Sequence, residues 1–176
     1  MLKTENSSLL IIDLQTRLMP AINQEQTVLQ NARRLIDAAS ILGVNTVFTE
    51  QNAKGLGPTV SELLTNNQTT VLHKQYFDTT REGEILSYLP TAHNLIVAGC
   101  EAHVCVLQTV LGLIQADRNI FVVEDATGAR SADNKRVAIN RMEAHGAEIV
   151  TTEMVLFEWL QTSEHEHFKA VLELVK

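Results

Sequence analysis

The stretch NLIVAGCEAHVCVLQTVLGLIQA, residues 94–116, decides the fold. Its opening, Asn94 to Gly99, is a short apolar run with β-branched residues, closed by glycine, and reads as a buried strand. From Cys105 onward the residues are almost all apolar and run long enough for a buried helix. A strand that turns through a glycine into a helix is half of a βαβ unit, and sheets built from such units are parallel and covered by helices.

Working outward, the same alternation recurs in both directions. SLLIID, NTVFTE and TTVLHK precede the decisive stretch, while NIFVVED and EIVTT follow it. The first intervening helix carries a stripe of Val28, Leu29, Ala32, Leu35, Ile36 and Ala39, with Asn23 and Gln26 suited to cap its start and Gly43 its end. A short helix is expected between TTVLHK and NLIVAG. Ser131 is placed to cap a later helix whose apolar residues are Val137, Ala138, Met142 and Ala144, ended by Gly146. TEMVLFEWL and HEHFKAVLELV read as closing helices. Gly55, Gly57 and Pro58 crowd one loop, and no repeat or linker interrupts the chain. The expectation is an α/β fold: a three-layer αβα sandwich with a Rossmann-like six-stranded, mostly parallel sheet and helices on both faces. Residues 1–176 are read as a single domain.

Composition narrows the partners. The chain of 176 residues has 14 Lys and Arg against 21 Asp and Glu, a formal charge of −7. With no basic stripe or aromatic-basic interleaving, nucleic acid is not an expected partner. The N-terminal apolar run is too short for a signal segment and reaches Asp13 at once. No later run is long enough to span a bilayer, so no membrane partner and a cytoplasmic location are expected. Cys100 and Cys105 have neither disulfide-framework nor zinc-ligand spacing and read as reduced thiols.

In a doubly wound sheet the ligand lies beyond the carboxyl ends of the strands, where strand order reverses. Asp13, Thr49 to Gln51, Lys74, the GCEAHVC turn, Asp125 and Thr151 to Glu153 occupy those ends. Asp13 closes an apolar strand; taken alone it fits a proton carrier, a helix cap or a partner for Arg17. Lys74 fits a functional cation or a lysine snorkelling from a strand end. Cys105, in the first turn of an apolar helix, has the surroundings that stabilise a thiolate, although many such cysteines are inert core residues. Cys100 reads as a small core residue. Together a carboxylate, an ammonium and a thiol form a coherent set for nucleophilic attack on an electrophilic carbon.

DLQTRLMP after the first strand, Lys74 after the third and AGCEAHVCVLQTV after the fourth resemble the isochorismatase-like cysteine hydrolases, and the likeness spans nearly the whole chain. EQNAKGLGPTV and TTEMVLFEWL are similar to the small single-domain branch of that superfamily. The resemblance implies that Asp13, Lys74 and Cys105 are acid, lysine and nucleophile. It further implies that the backbone N–H groups of Glu101 and Cys105 form an oxyanion hole and that the Cys100–Glu101 peptide is cis. Relatives of this kind form oligomers, so a homo-oligomer acting on a small molecule is expected, without a cofactor. Two departures bear on the substrate. Isochorismatases proper lack the cysteine, which turns the expectation toward an amide or related acyl bond. Nicotinamidases carry an Asp-x-His metal site after the second strand, where this chain reads Glu50, Gln51, Asn52 and Ala53, so no metal is expected.

Gln15, Leu18, Phe48, Gln51 and Phe77 are expected to shape the pocket, with no arginine aimed inward and hence a neutral or modestly polar acyl substrate. His103 lies inside the nucleophile turn and is a candidate for the same pocket. His165 and His167 read as a solvated face, and His73, His93 and His145 stand alone at element ends. Three rival readings remain open. One is an oligomeric interaction module with a relic triad. Another is a thiol redox protein using Cys100 and Cys105, against which the lack of Cys-x-x-Cys counts. The third, a nucleotide binder, lacks a phosphate loop after the first strand.

Overall fold

A computed structural model describes residues 1–64 and 70–176. Six strands, β1 (Ser7–Ile12), β2 (Asn45–Gln51), β3 (Thr70–Lys74), β4 (Asn94–Cys100), β5 (Ile120–Gly128) and β6 (Glu148–Val150), form one sheet in the order β3-β2-β1-β4-β5-β6. Every neighbouring pair is parallel. Of the TTVLHK run, Thr69 lies outside the described residues.

The strands alternate faces, and that parity sorts the core into two layers. Leu9, Ile11, Phe48, Ile96 and Val123 pack against α1 (Glu25–Leu42), α5 (Thr152–Leu160) and α6 (Phe168–Leu174). Leu10, Ile12, Val47, Val97 and Val122 pack on the other side against α3 (Leu107–Gln115) and α4 (Ala132–Ala144). A one-turn helix, α2 (Ala53–Leu56), follows β2. Residues Thr79–Arg81 and Ile85–Tyr88 form two 3-10 turns where the sequence reading expects a short helix. Among the described residues, no helix is long and apolar enough to cross a membrane. Trp159 of α5, buried, donates its indole N–H to Ser7 Oγ at 3.1 Å and so ties the closing helices to the start of β1.

Helix ends depart from the sequence reading in detail. Gln24, in a left-handed conformation at φ 55°, precedes α1 without a side-chain cap, and the Asn23 N–H donates to the Ala129 carbonyl at 3.0 Å. Gly43 ends α1 at φ 72° as expected. Ser131 precedes α4 without a side-chain cap, and Val137 is exposed; the helix buries Ala138, Ile139 and Met142 instead.

Strand order reverses between β1 and β4, and Gly99 sets how closely they approach. Its φ is +129°, and a Cβ there would stand 2.0 Å from the Ile12 carbonyl oxygen. Only glycine combines that conformation with that proximity. Beside it β5 bulges, its register with β4 shifting between Val97 and Gly99. The ends of β1 and β4, one carrying Asp13 and the other the Cys100–Glu101 turn, are thus brought side by side.

Candidate active site

Asp13 is the first residue past β1, buried, with a left-handed backbone at φ 52° and its N–H on the Thr49 carbonyl. Both carboxylate oxygens are held: Thr49 Oγ1 donates to Oδ1 at 2.7 Å and Lys74 Nζ to Oδ2 at 2.6 Å. Lys74, the last residue of β3, has no exposed side-chain surface. Its ammonium also donates to Gln51 Oε1 at 2.7 Å, with the carbonyls of Tyr76 and Phe77 at 3.4 and 3.5 Å. Two opposite charges removed from water persist only when paired and hydrogen-bonded, and this pair meets both conditions.

β4 leads through a cis Cys100–Glu101 peptide into a π-helical turn, Ala102–Val106, that continues as α3. Cys105 sits in this turn. The Glu101 carbonyl accepts from the N–H groups of Val104 at 3.0 Å and Val106 at 3.2 Å, bracketing the N–H of Cys105. Cys105 shares the cleft with Asp13, and its thiol feels the charges of both Asp13 and Lys74. Its pKa is pushed up to about 12, first by burial and then by the negative charge of Asp13, while Lys74 pulls it down. Burial therefore favours the thiol over the thiolate. Desolvation and the Asp13 charge outweigh the pull of Lys74. Cys100 is buried more completely, and burial pushes its thiol up as well.

The site opens on a cleft of about 310 Å³. Asp13, Cys105 and Glu101 meet there with Gln51; Leu18, Leu56, Phe77 and Val104 supply apolar wall. Three expected pocket residues sit elsewhere. Phe48 is one residue out of phase on β2 and is buried against the α1 layer. Gln15 is wholly buried; its amide donates to the carbonyls of Gln51 and Gly57 and its Oε1 accepts the Gln51 N–H, so it braces a loop. His103 turns toward α4, with Nε2 at 3.4 Å from Asn134 and a buried, unpartnered Nδ1.

One cleft residue contradicts the sequence reading outright. Arg130, just past β5, lines the cleft, its Nε donating to Glu101 Oε2 at 3.0 Å. The side chain is 62% exposed, which leaves its outer nitrogens at the mouth. No motif marks it; two residues past β5, its N–H and its Nε both donate to Glu101 Oε2. Asp125 lies outside the cleft lining, taking the N–H and hydroxyl of Thr152 at the start of α5. Among the described residues, no three His, Cys, Asp or Glu side chains gather as a metal would require.

The model of the Isochorismatase domain family matches residues 7–154. The chain is 33% identical to isochorismatase domain-containing protein 2 of Danio rerio, over 99% of this chain and 89% of that one. Among solved structures, one described as a MAR1 ribonuclease from Caenorhabditis elegans superposes with a TM-score of 0.92 at 36% identity, covering 99% of this chain and 91% of that one. The YcaC gene product of Escherichia coli, described as an octameric hydrolase of unknown specificity, shares the fold with a TM-score of 0.91 at 24% identity, over 98% and 88% of the two chains.

Proposed function

The chain belongs to the isochorismatase domain family, and on that premise we propose that it is a cysteine hydrolase cleaving a small amide or related acyl bond through a thioester on Cys105. The observation that carries this reading is the meeting of Asp13 and Cys105 on one cleft wall, with the Lys74 ammonium buried directly behind them. With burial favouring the thiol, its proton passes to Asp13 as the sulfur attacks the carbonyl carbon, and Lys74 holds the charge between them. The N–H groups of Glu101 and Cys105 receive the developing oxyanion; losing one such donor typically costs about 3 kcal/mol of transition-state stabilisation. As the C–N bond breaks, Asp13 returns the proton to the leaving amine. It then draws a proton from water, whose oxygen attacks the thioester and frees the thiol.

The apolar wall and the Arg130 guanidinium at the mouth fit a compact acyl group with a polar or anionic far end. RNA, which the description of the C. elegans protein brings to mind, fits less well: the formal charge is −7 and the cleft offers two carboxylates. A homo-oligomer is part of the same proposal, with Met154 and Phe157 exposed on α5 as apolar surface.

A panel of neutral and anionic primary amides, with single-stranded RNA as a separate arm, tests the reading by product formation and by intact mass. An acyl adduct on Cys105 that accumulates with slow substrates and is absent in Cys105→Ser is the expected result. Turnover undiminished in Cys105→Ser, or cleavage of RNA alone, overturns it.

A further inference from the structure

The EQNAKGLGPTV segment is absorbed by none of the chemistry above, yet it is bonded to the site more densely than its loop position requires. Glu50 Oε1 accepts the N–H of Thr59 at 2.6 Å and its hydroxyl at 2.8 Å, which folds the loop back on β2. Gln15, two residues after Asp13, clamps the Gln51 backbone from both sides and reaches Gly57 at 2.6 Å. Gln15 and Thr59 also form an isolated antiparallel bridge. With its backbone fixed, Gln51 has one way to satisfy its side chain: Nε2 donates to the Gln75 carbonyl at 2.7 Å, so Oε1 faces Lys74 Nζ at 2.7 Å.

From this chain of contacts we infer that Gln51 is a positioning residue, holding the Lys74 ammonium against Asp13 and the Cys105 sulfur, and that Gln15 and the Glu50–Thr59 clamp fix its amide for that task. The inference rests on the hydrolase reading. The physical reason is the count of donors. An ammonium has three protons and no acceptor capacity, and in a buried site each proton seeks an oxygen. Asp13 takes one and Gln51 a second, both in short bonds, whereas the Tyr76 and Phe77 carbonyls stand at 3.4 Å or more. Without the Gln51 oxygen, the ammonium is drawn toward those carbonyls and away from the sulfur. Gln51 is neutral, so it orients the cation without competing for its charge. The charged groups facing the thiol are Asp13 and Lys74, with Glu101 and Arg130 also on the cleft wall.

The test is a double-mutant cycle read by iodoacetamide labelling of Cys105, quantified by peptide mass from pH 7 to 10. Gln51→Met, similar in length but without an acceptor, is expected to slow labelling near pH 8 about tenfold, the equivalent of one pKa unit. In a background lacking the ion pair altogether, Asp13→Asn with Lys74→Met, the same change is expected to do nothing. Where the methionine variant does not fold, Gln51→Asn keeps the amide but withdraws it by one methylene, and the same pair of results is expected. Labelling unaffected by the Gln51 change, or slowed equally in both backgrounds, overturns the inference. Thioester formation by the wild type on the amide panel is scored separately. Its absence beside an intact Gln51 to Lys74 coupling defeats the hydrolase reading and leaves the positioning role standing.

Discussion

β1 presents a polar constellation at each end. Beyond its carboxyl end lie Asp13, Lys74 and Cys105; near its amino end Ser8 Oγ meets His93 Nδ1 at 2.9 Å, with Asn45 Nδ2 at 3.5 Å from the same hydroxyl. By distance alone Ser8 and His93 make a credible nucleophile and base. They lack everything else. Ser8 is wholly buried within the sheet, paired with Leu95 on one side and Asn45 on the other. Cys105 instead stands in the turn that opens α3, on the wall of a cleft. In a parallel sheet the strands' carboxyl ends open into loops that space a cavity, and the first turns of helices point their N–H groups there. Close polar contacts are common to both ends; the open cleft belongs to one.

The comparison is broken most directly by substitution at the two candidate nucleophiles. Cys105→Ser is expected to lower turnover of a responsive amide about 10⁴-fold or more, and Ser8→Ala to leave it within about twofold, measured as steady-state rates on folded protein. The next contrast is in stability. Removing Lys74 alone, as Lys74→Met, strands the Asp13 charge and is expected to cost about 3–5 kcal/mol in denaturant unfolding, against about 1 kcal/mol for Ser8→Ala. The geometry that joins the strands follows. Gly99→Ala brings a methyl group against the Ile12 carbonyl, and an expected loss of about 1–3 kcal/mol should be accompanied by slower Cys105 labelling.

The last contrast is a pH dependence, confined to alkaline pH. The native Cys105 pKa stands above the 9.0 of an ordinary thiol. Below about pH 9 both folded and unfolded chains keep the proton and the associated stability is fully present. From there toward about 12 the unfolded chain ionises first, so stability falls as pH rises. Unfolding midpoints of Cys105→Ser should fall less steeply over that range. A steeper fall in the variant would contradict the assigned direction.

Much of this was legible from periodicity. The alternation of short apolar runs with helical stretches carries the sheet and puts Asp13, Lys74 and the Cys105 turn at strand ends; the order that sets the switch point between β1 and β4 comes from the structure. What periodicity does not convey is phase and backbone irregularity. Phe48 and Gln51 are three residues apart, but alternation sends Phe48 into the α1 layer, and only a residue at the strand's end reaches the cleft. Arg130 is held on the cleft by Glu101, and His103, within the π-helical turn, meets Asn134 of α4. The rise in the thiol pKa comes from burial summed over three dimensions, which a helix-start motif does not report.

The lone tryptophan offers an optical consequence. Trp159 is anchored to Ser7 at the opposite end of β1 from Asp13, about 20 Å away at the usual rise of a strand. Its emission therefore registers undocking of the closing helices and is insulated from an acyl group or alkylating agent on Cys105. Fluorescence of modified and unmodified protein can be compared directly, without correcting for quenching by the adduct.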